Sequence, residues 1–323
     1  MKVLALTEDG KLTYCTASPE NRGKGRCNHV GHQKENETAN EFINRISEDL
    51  LKQASDNEKD DILNLNNSEK IKMINNHENL DILINDENWL IRKAVAEQGY
   101  RLDKLINDED SDVRAAVAKK GYGLDKLIND EDYDVRAAVA EQGYCLDKLI
   151  NDKFWHVRKA VAEQGYGLDK LIDDEDADVR IAVVKQGYGL DKLINDRSYN
   201  VREAVAEQGY ELDKLINDEN LCVRAAVAKQ RYNLDKLIND KDPFVRAAVA
   251  EQDYSLDKLI KDEDPLVRAA VAKKGYGLNK LVDDEHWFVR KAVAEQGYGL
   301  DKLIIDENDD VREAAKKFSN KKR

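Results

Sequence analysis

Apolar and polar positions along the chain follow one pattern that returns every 22 residues. Its marker is a Val-Arg or Ile-Arg pair, with arginine at Arg92, Arg114, Arg136, Arg158, Arg180, Arg202, Arg224, Arg246, Arg268, Arg290 and Arg312, and no insertion between them. Self-similarity at such a period marks a repeat array, in which each unit buries a thin apolar layer against its neighbours.

The unit from Asp112 to Asp130 predicts two helices. Val113, Ala116 and Val117 recur at i, i+3, i+4, the spacing of one helix face. Asp112 is placed to cap that helix, and Gly121 to end it in a left-handed conformation. Leu124, Leu127 and Ile128 repeat the spacing on a second helix, short enough to be partly 3₁₀. Arg231 and Asp253 replace the glycine in two units, where a left-handed non-Gly residue costs roughly 1–2 kcal/mol.

The period divides the chain into three parts. Residues 1–58 lie outside it, and residues 59–80 form a degenerate capping repeat with Lys70 in the arginine register. Residues 81–323 are the solenoid, closing on a basic cap, Lys316 to Arg323. In the first part, residues 2–7 and 11–16 flank Glu8-Asp9-Gly10 as a β-hairpin, and an amphipathic helix follows from about Thr38 to Gln53.

The string Asp-x-Val-Arg-x-Ala-Val-Ala, followed by Leu-x-x-Leu-Ile and closed by Asp, resembles the leucine-rich repeat variant and, more loosely, HEAT-like α-solenoids over about residues 68–315. The resemblance implies an all-α fold, a right-handed α-solenoid of about eleven two-helix repeats, preceded here by a small α+β module. It implies a binding scaffold and brings no catalytic residues. The unit is two residues shorter than is usual in that family, a deficit that falls in Gly-Tyr-Gly.

Composition agrees with a thin, repeated core: 41% of residues are hydrophobic, 36% charged and 7% aromatic. The net charge of −13 argues against phosphate backbones and anionic membranes, so the expected partner of the solenoid is a protein with a basic surface and not a nucleic acid. No segment approaches a membrane span or a signal peptide, which places the chain in the cytoplasm.

Uniform positions are set by packing, and variable positions are free for recognition. The two residues before each Val-Arg pair vary most, and all three tryptophans fall in that register. Trp89, Tyr133, Trp155, Tyr199, Phe244, Trp287 and Phe288 are therefore the candidate partner-binding residues. Aromatics on a rigid surface anchor interfaces, but the same side chains could cover the ends of the inter-repeat core, and both readings stand. Wherever an apolar residue replaces Asp112 of the unit, the cap is lost, at about 0.5–2 kcal/mol. The arginines read as partners of the equally uniform aspartates, an ion-pair ladder.

Cys15, Cys27, Cys145 and Cys222 are too scattered for a disulfide framework and read as thiols or metal ligands. Cys15, Cys27, His29 and His32 supply the four donors of a closed tetrahedral zinc site, in a spacing that matches no common finger. The functional expectation is a non-enzymatic adaptor, or an inhibitor that sequesters its partner. The alternative is a zinc-dependent or nucleic-acid-acting N-terminal module carried on a solenoid.

Overall fold

The structure, a computed structural model, describes residues 3–7, 12–15, 29–34 and 37–321. It divides into two compact units, Met1–Tyr122 and Gly123–Arg323.

In the first unit, β1 (Val3–Thr7) and β2 (Leu12–Cys15) form the expected hairpin, with Val3 opposite Cys15. A third strand, β3 (His29–His32), pairs antiparallel with the free edge of β1. Four residues with two histidines and a glycine carry no strand pattern, so β3 has no signature in the sequence. Next comes α1 (Ala39–Leu63), started by a capping box in which Thr38 Oγ1 accepts the Glu41 N–H and the Glu41 carboxylate accepts the Thr38 N–H. It passes Gln53 and runs on to Leu63, because no Gly or Pro intervenes to stop it. Arg45 ties α1 to the strand end, donating to both Glu37 oxygens at 2.8 and 3.0 Å and to the His32 carbonyl at 3.1 Å. That guanidinium, with the Lys34 N–H, holds the Glu37 carboxyl down at about 2.

Repeat geometry begins in the same unit. α2 (Asn67–Asn75) and α3 (Leu80–Leu83) make the degenerate layer, followed by α4 (Trp89–Glu97), α5 (Leu102–Leu105) and α6 (Ser111–Lys119). Lys70, 5% exposed, takes the arginine's place and donates from Nζ to Asp86 at 2.7 Å.

The second unit alternates one-turn and nine-residue helices. In chain order they are α7 (Leu124–Leu127), α8 (Tyr133–Glu141), α9 (Leu146–Leu149), α10 (Trp155–Glu163), α11 (Leu168–Leu171) and α12 (Ala177–Lys185). Then follow α13 (Leu190–Leu193), α14 (Tyr199–Glu207), α15 (Leu212–Leu215), α16 (Leu221–Lys229), α17 (Leu234–Leu237) and α18 (Pro243–Glu251). The last are α19 (Leu256–Leu259), α20 (Pro265–Lys273), α21 (Leu278–Leu281), α22 (Trp287–Glu295), α23 (Leu300–Leu303) and the longer α24 (Asp309–Lys321). Each nine-residue helix packs on the next, from α8 through α24. The protein is thus a helical solenoid with a 22-residue unit. Its core includes the predicted face: Val157 and Val161 are fully buried and Ala160 is 4% exposed in α10, with Ala162 buried beside them, and Leu171 is 3% exposed in α11.

The turn between helices is tighter than a single glycine cap. After α10, Gly165 (φ 72°) donates to the Ala162 carbonyl at 2.8 Å and Tyr166 to that of Val161 at 3.4 Å, the Schellman pattern. Gly167 is left-handed as well (φ 61°). Two left-handed residues around one tyrosine reverse the chain, which is how two helices fit in 22 residues. Arg231 (φ 58°) and Asp253 (φ 60°) keep the left-handed conformation, as the register requires. The short helix α11 closes with a Leu168-to-Ile172 bond of the α type and a Gly167-to-Lys170 bond of the 3₁₀ type.

Candidate functional site

The arginines are structural. Arg180, 4% exposed, donates from Nε and Nη2 to both oxygens of Asp196 in the next repeat, at 2.7 and 2.8 Å, and from Nη1 to the carbonyls of Asp174 and Glu175. Asp196 Oδ1 also accepts the Ser198 N–H at 2.8 Å, fixing the loop that enters α14. The bidentate bond recurs from Arg136–Asp152 to Arg290–Asp306 in the second unit, and as Arg92–Asp108 in the first. Hydrogen bonding to Asp196 raises the Arg180 pKa. Burial pushes Asp196 up, but Arg180 and the Ser198 N–H outweigh it and hold the carboxyl below its usual value. These guanidiniums face inward to carboxylates and carbonyls and offer nothing to a phosphate. Arg312 pairs instead with Asp309 of its own repeat, and Asp309 is the only aspartate at that register position.

The helix caps lie elsewhere than the sequence suggested. Asp110, not Asp112, caps α6: its side chain accepts the Asp112 N–H at 2.9 Å, and the helix begins at Ser111. Asp264 serves Leu266 and Asp242 serves Phe244 in the same way, at 2.8 and 3.0 Å. The expected loss of a cap at apolar sites is therefore overturned, because the variable pair occupies the first two helical positions, after the cap. Pro243 and Pro265 stand at the first of them, where proline is favoured. The pair is thus released from the helix's own hydrogen bonding.

The seven candidate residues all occupy the first or second position of nine-residue helices. Phe244 is 59% and Tyr199 42% exposed; Trp89, Tyr133, Trp155, Trp287 and Phe288 are half-buried. Trp89 lies under the Lys93 ammonium, 5.6 Å from it. In the second unit Tyr133 stacks on Phe154 at 4.9 Å and on His156 at 4.8 Å, and His156 lies against Trp155 at 3.6 Å. Phe154 and His156 were missed as members of this cluster. Phe154 is legible in hindsight, since it replaces the capping Asp or Asn of most units and leaves α10 without a side-chain cap. His156 Nδ1 is buried and has no hydrogen-bond partner among the described residues, so this ring acts as an aromatic surface. Trp287 meets Phe288 edge-on at 5.8 Å, and Lys273 lies over the Phe288 ring.

A second aromatic column also escaped the sequence reading. Tyr166, Tyr188, Tyr276 and Tyr298, uniform in the repeat, are each 42% exposed. Uniformity here reflects the Schellman turn, whose residue after the glycine commonly packs back on the helix it ends.

Of the four proposed zinc ligands, Cys27 and the His29 side chain lie outside the described residues. Cys15 is buried opposite Val3, and His32 is half-buried opposite Ala5. Val3 and Ala5 share one face of β1, so Cys15 and His32 lie on the same face of the sheet with β1 between them. Among the described residues no three His, Cys, Asp or Glu side chains converge as a metal site, and no helix is long and apolar enough to cross a membrane.

Compared with known proteins, the chain matches no family model and no curated protein. The likeness to the leucine-rich repeat variant therefore rests on the repeated string, its period and the helical layers.

Proposed function

We propose that the chain is a non-enzymatic, cytoplasmic scaffold that binds a protein partner with a basic surface, as an adaptor or as an inhibitor that sequesters it. The observation that carries this reading is the separation of roles within the repeat. Capping residue, arginine, aspartate and core hold each layer, while the first two helical positions vary freely and carry exposed or half-buried aromatics. Rigid aromatics cost little side-chain entropy on binding and dominate interface energetics. A pull-down comparing wild type with the variant Trp89→Ala/Trp155→Ala/Trp287→Ala tests it. The reading requires specific bands to disappear while circular dichroism and melting are unchanged; unaltered recovery refutes it.

A second reading attaches to the N-terminal module, where Cys15 and His32 share a sheet face. With Cys27 and His29 they would hold a zinc ion that staples a module with little core of its own.

A further inference from the structure

The second helical position in the second unit is His156 in α10, Cys222 in α16 and Asp310 in α24, and three consecutive layers place a large apolar residue there. α8 and α12 carry Asp134 and Asp178 there and α14 carries Asn200, but α18, α20 and α22 carry Phe244, Leu266 and Phe288. An acid in the first turn is favoured by the helix dipole, and the caps Asp242 and Asp264 are intact. Phe244 is 59% exposed there, so the fold gains little from its ring, while Leu266 and Phe288 are half-buried. Proline and tryptophan fill the neighbouring first positions, so the apolar residues form a continuous strip across three stacked layers.

Carboxylates flank the strip, with the Lys273 ammonium over the Phe288 ring. Glu263 and Glu285, one residue ahead of the capping positions of α20 and α22, have side chains 91% and 89% exposed and touch their arginines only at 3.7 and 3.6 Å. Beyond the strip, α22 and α24 enclose a groove of about 400 Å³ lined by Glu295, Asp310 and Glu313 against Lys291 and Lys317, with Phe318 at its wall. An apolar strip with a carboxylate rim fits one chemistry best, an amphipathic segment flanked by cations. Layers packed at roughly 8–10 Å match the rise of about 10 Å over seven residues of an α-helix.

We propose that Phe244, Leu266 and Phe288 form the docking strip for an amphipathic helix of a partner protein, whose apolar side chains seat on the three layers while its lysines or arginines meet the carboxylate rim. This deepens the scaffold reading above and rests on it.

The test uses the full chain and two labelled synthetic helices of about 20 residues, both with leucine at heptad spacing, one otherwise rich in lysine and the other in glutamate. Fluorescence anisotropy at physiological ionic strength reads binding. The lysine peptide binds, and the glutamate peptide is weaker by at least about tenfold. The variant Phe244→Asp/Leu266→Asp/Phe288→Asp places at each layer the residue that α8 and α12 carry, and its circular dichroism and melting are read alongside so that lost binding is scored only on folded protein. It loses binding by at least about tenfold although it adds negative charge, whereas Tyr166→Ala/Tyr188→Ala, in the other aromatic column, keeps it. Equal binding of the two peptides, no binding of either, or unchanged binding by the triple aspartate variant overturns the proposal. Wild-type self-association abolished by the same substitutions also overturns it, by assigning the strip to a second copy. If the strip fails here but the tryptophan variant still loses partners, the scaffold reading survives without it.

Discussion

Arg180 and Asp196, 16 residues apart in sequence, are joined by two parallel hydrogen bonds of 2.7 and 2.8 Å inside the stack. Their side chains are 5% and 8% exposed, so removing one leaves the other charge desolvated. Arg180→Met is expected to cost about 3–5 kcal/mol, measured by urea unfolding followed by circular dichroism. A loss below about 1 kcal/mol would mean that the pair behaves as a surface contact.

The ladder also sets the acid response. Burial pushes Asp152, Asp196, Asp218, Asp240 and Asp284 up, but their arginine and N–H partners outweigh it, and all are held below their ordinary value; for Asp306 the Arg290 bond is the leading cause. A carboxyl with a lowered folded pKa binds more protons when unfolded, so stability falls as pH falls. The contribution is complete above the unfolded value of about 3.9 and is lost as pH drops through the lowered folded values. Melting temperature should stay level from about pH 5 upward on this account and fall steeply below about pH 4. A melting temperature that holds or rises below pH 4 would count against the ladder.

Arg231 and Asp253 sit in the left-handed region at φ 58° and 60°. Arg231→Gly and Asp253→Gly should each raise the melting temperature by about 1–3 °C, after allowance for the exposed contacts Arg231–Gln252 and Asp253–Lys274. Differential scanning fluorimetry decides, and a lower melting temperature would reject the cap assignment.

Cap and free positions should respond oppositely within one helix. Asp264→Ala removes the acceptor for the Leu266 N–H and is expected to cost about 0.5–2 kcal/mol. Leu266→Asp, two residues on, is expected to be neutral or stabilising by about 0.3–1 kcal/mol. Equal losses at both sites would merge the two roles that the repeat separates.

If the N-terminal donors hold zinc, the dialysed protein retains about one ion per chain, and Cys15→Ser or His29→Ala lowers that content. Metal-free protein by plasma mass spectrometry would remove the zinc reading.

Most of the fold was legible because packing repeats it. Val113, Ala116 and Val117 gave the helix face, Lys70 the capping layer, and Gly121 the end of the helix. The cap was misplaced because Asp110 and Asp112 are both acids, and only the hydrogen bond from the Asp112 N–H distinguishes them. The second left-handed residue was hidden because Cys145, Glu211, Asn233 and Ser255 adopt it without being glycine. β3 pairs through backbone alone, which leaves no side-chain signature. The aromatic register was visible at once, but its exposure and its clustering around Phe154 and His156 depend on neighbouring layers, which no single unit encodes.

The first two helical positions are assigned to recognition and not to stability. Quantitative affinity capture with wild type and with Trp89→Ala/Trp155→Ala/Trp287→Ala, at matched melting temperatures, tests this assignment most directly. Specific partners should fall by at least about tenfold in the variant. Equal recovery from a folded variant, or a variant that loses its fold along with its partners, would contradict it.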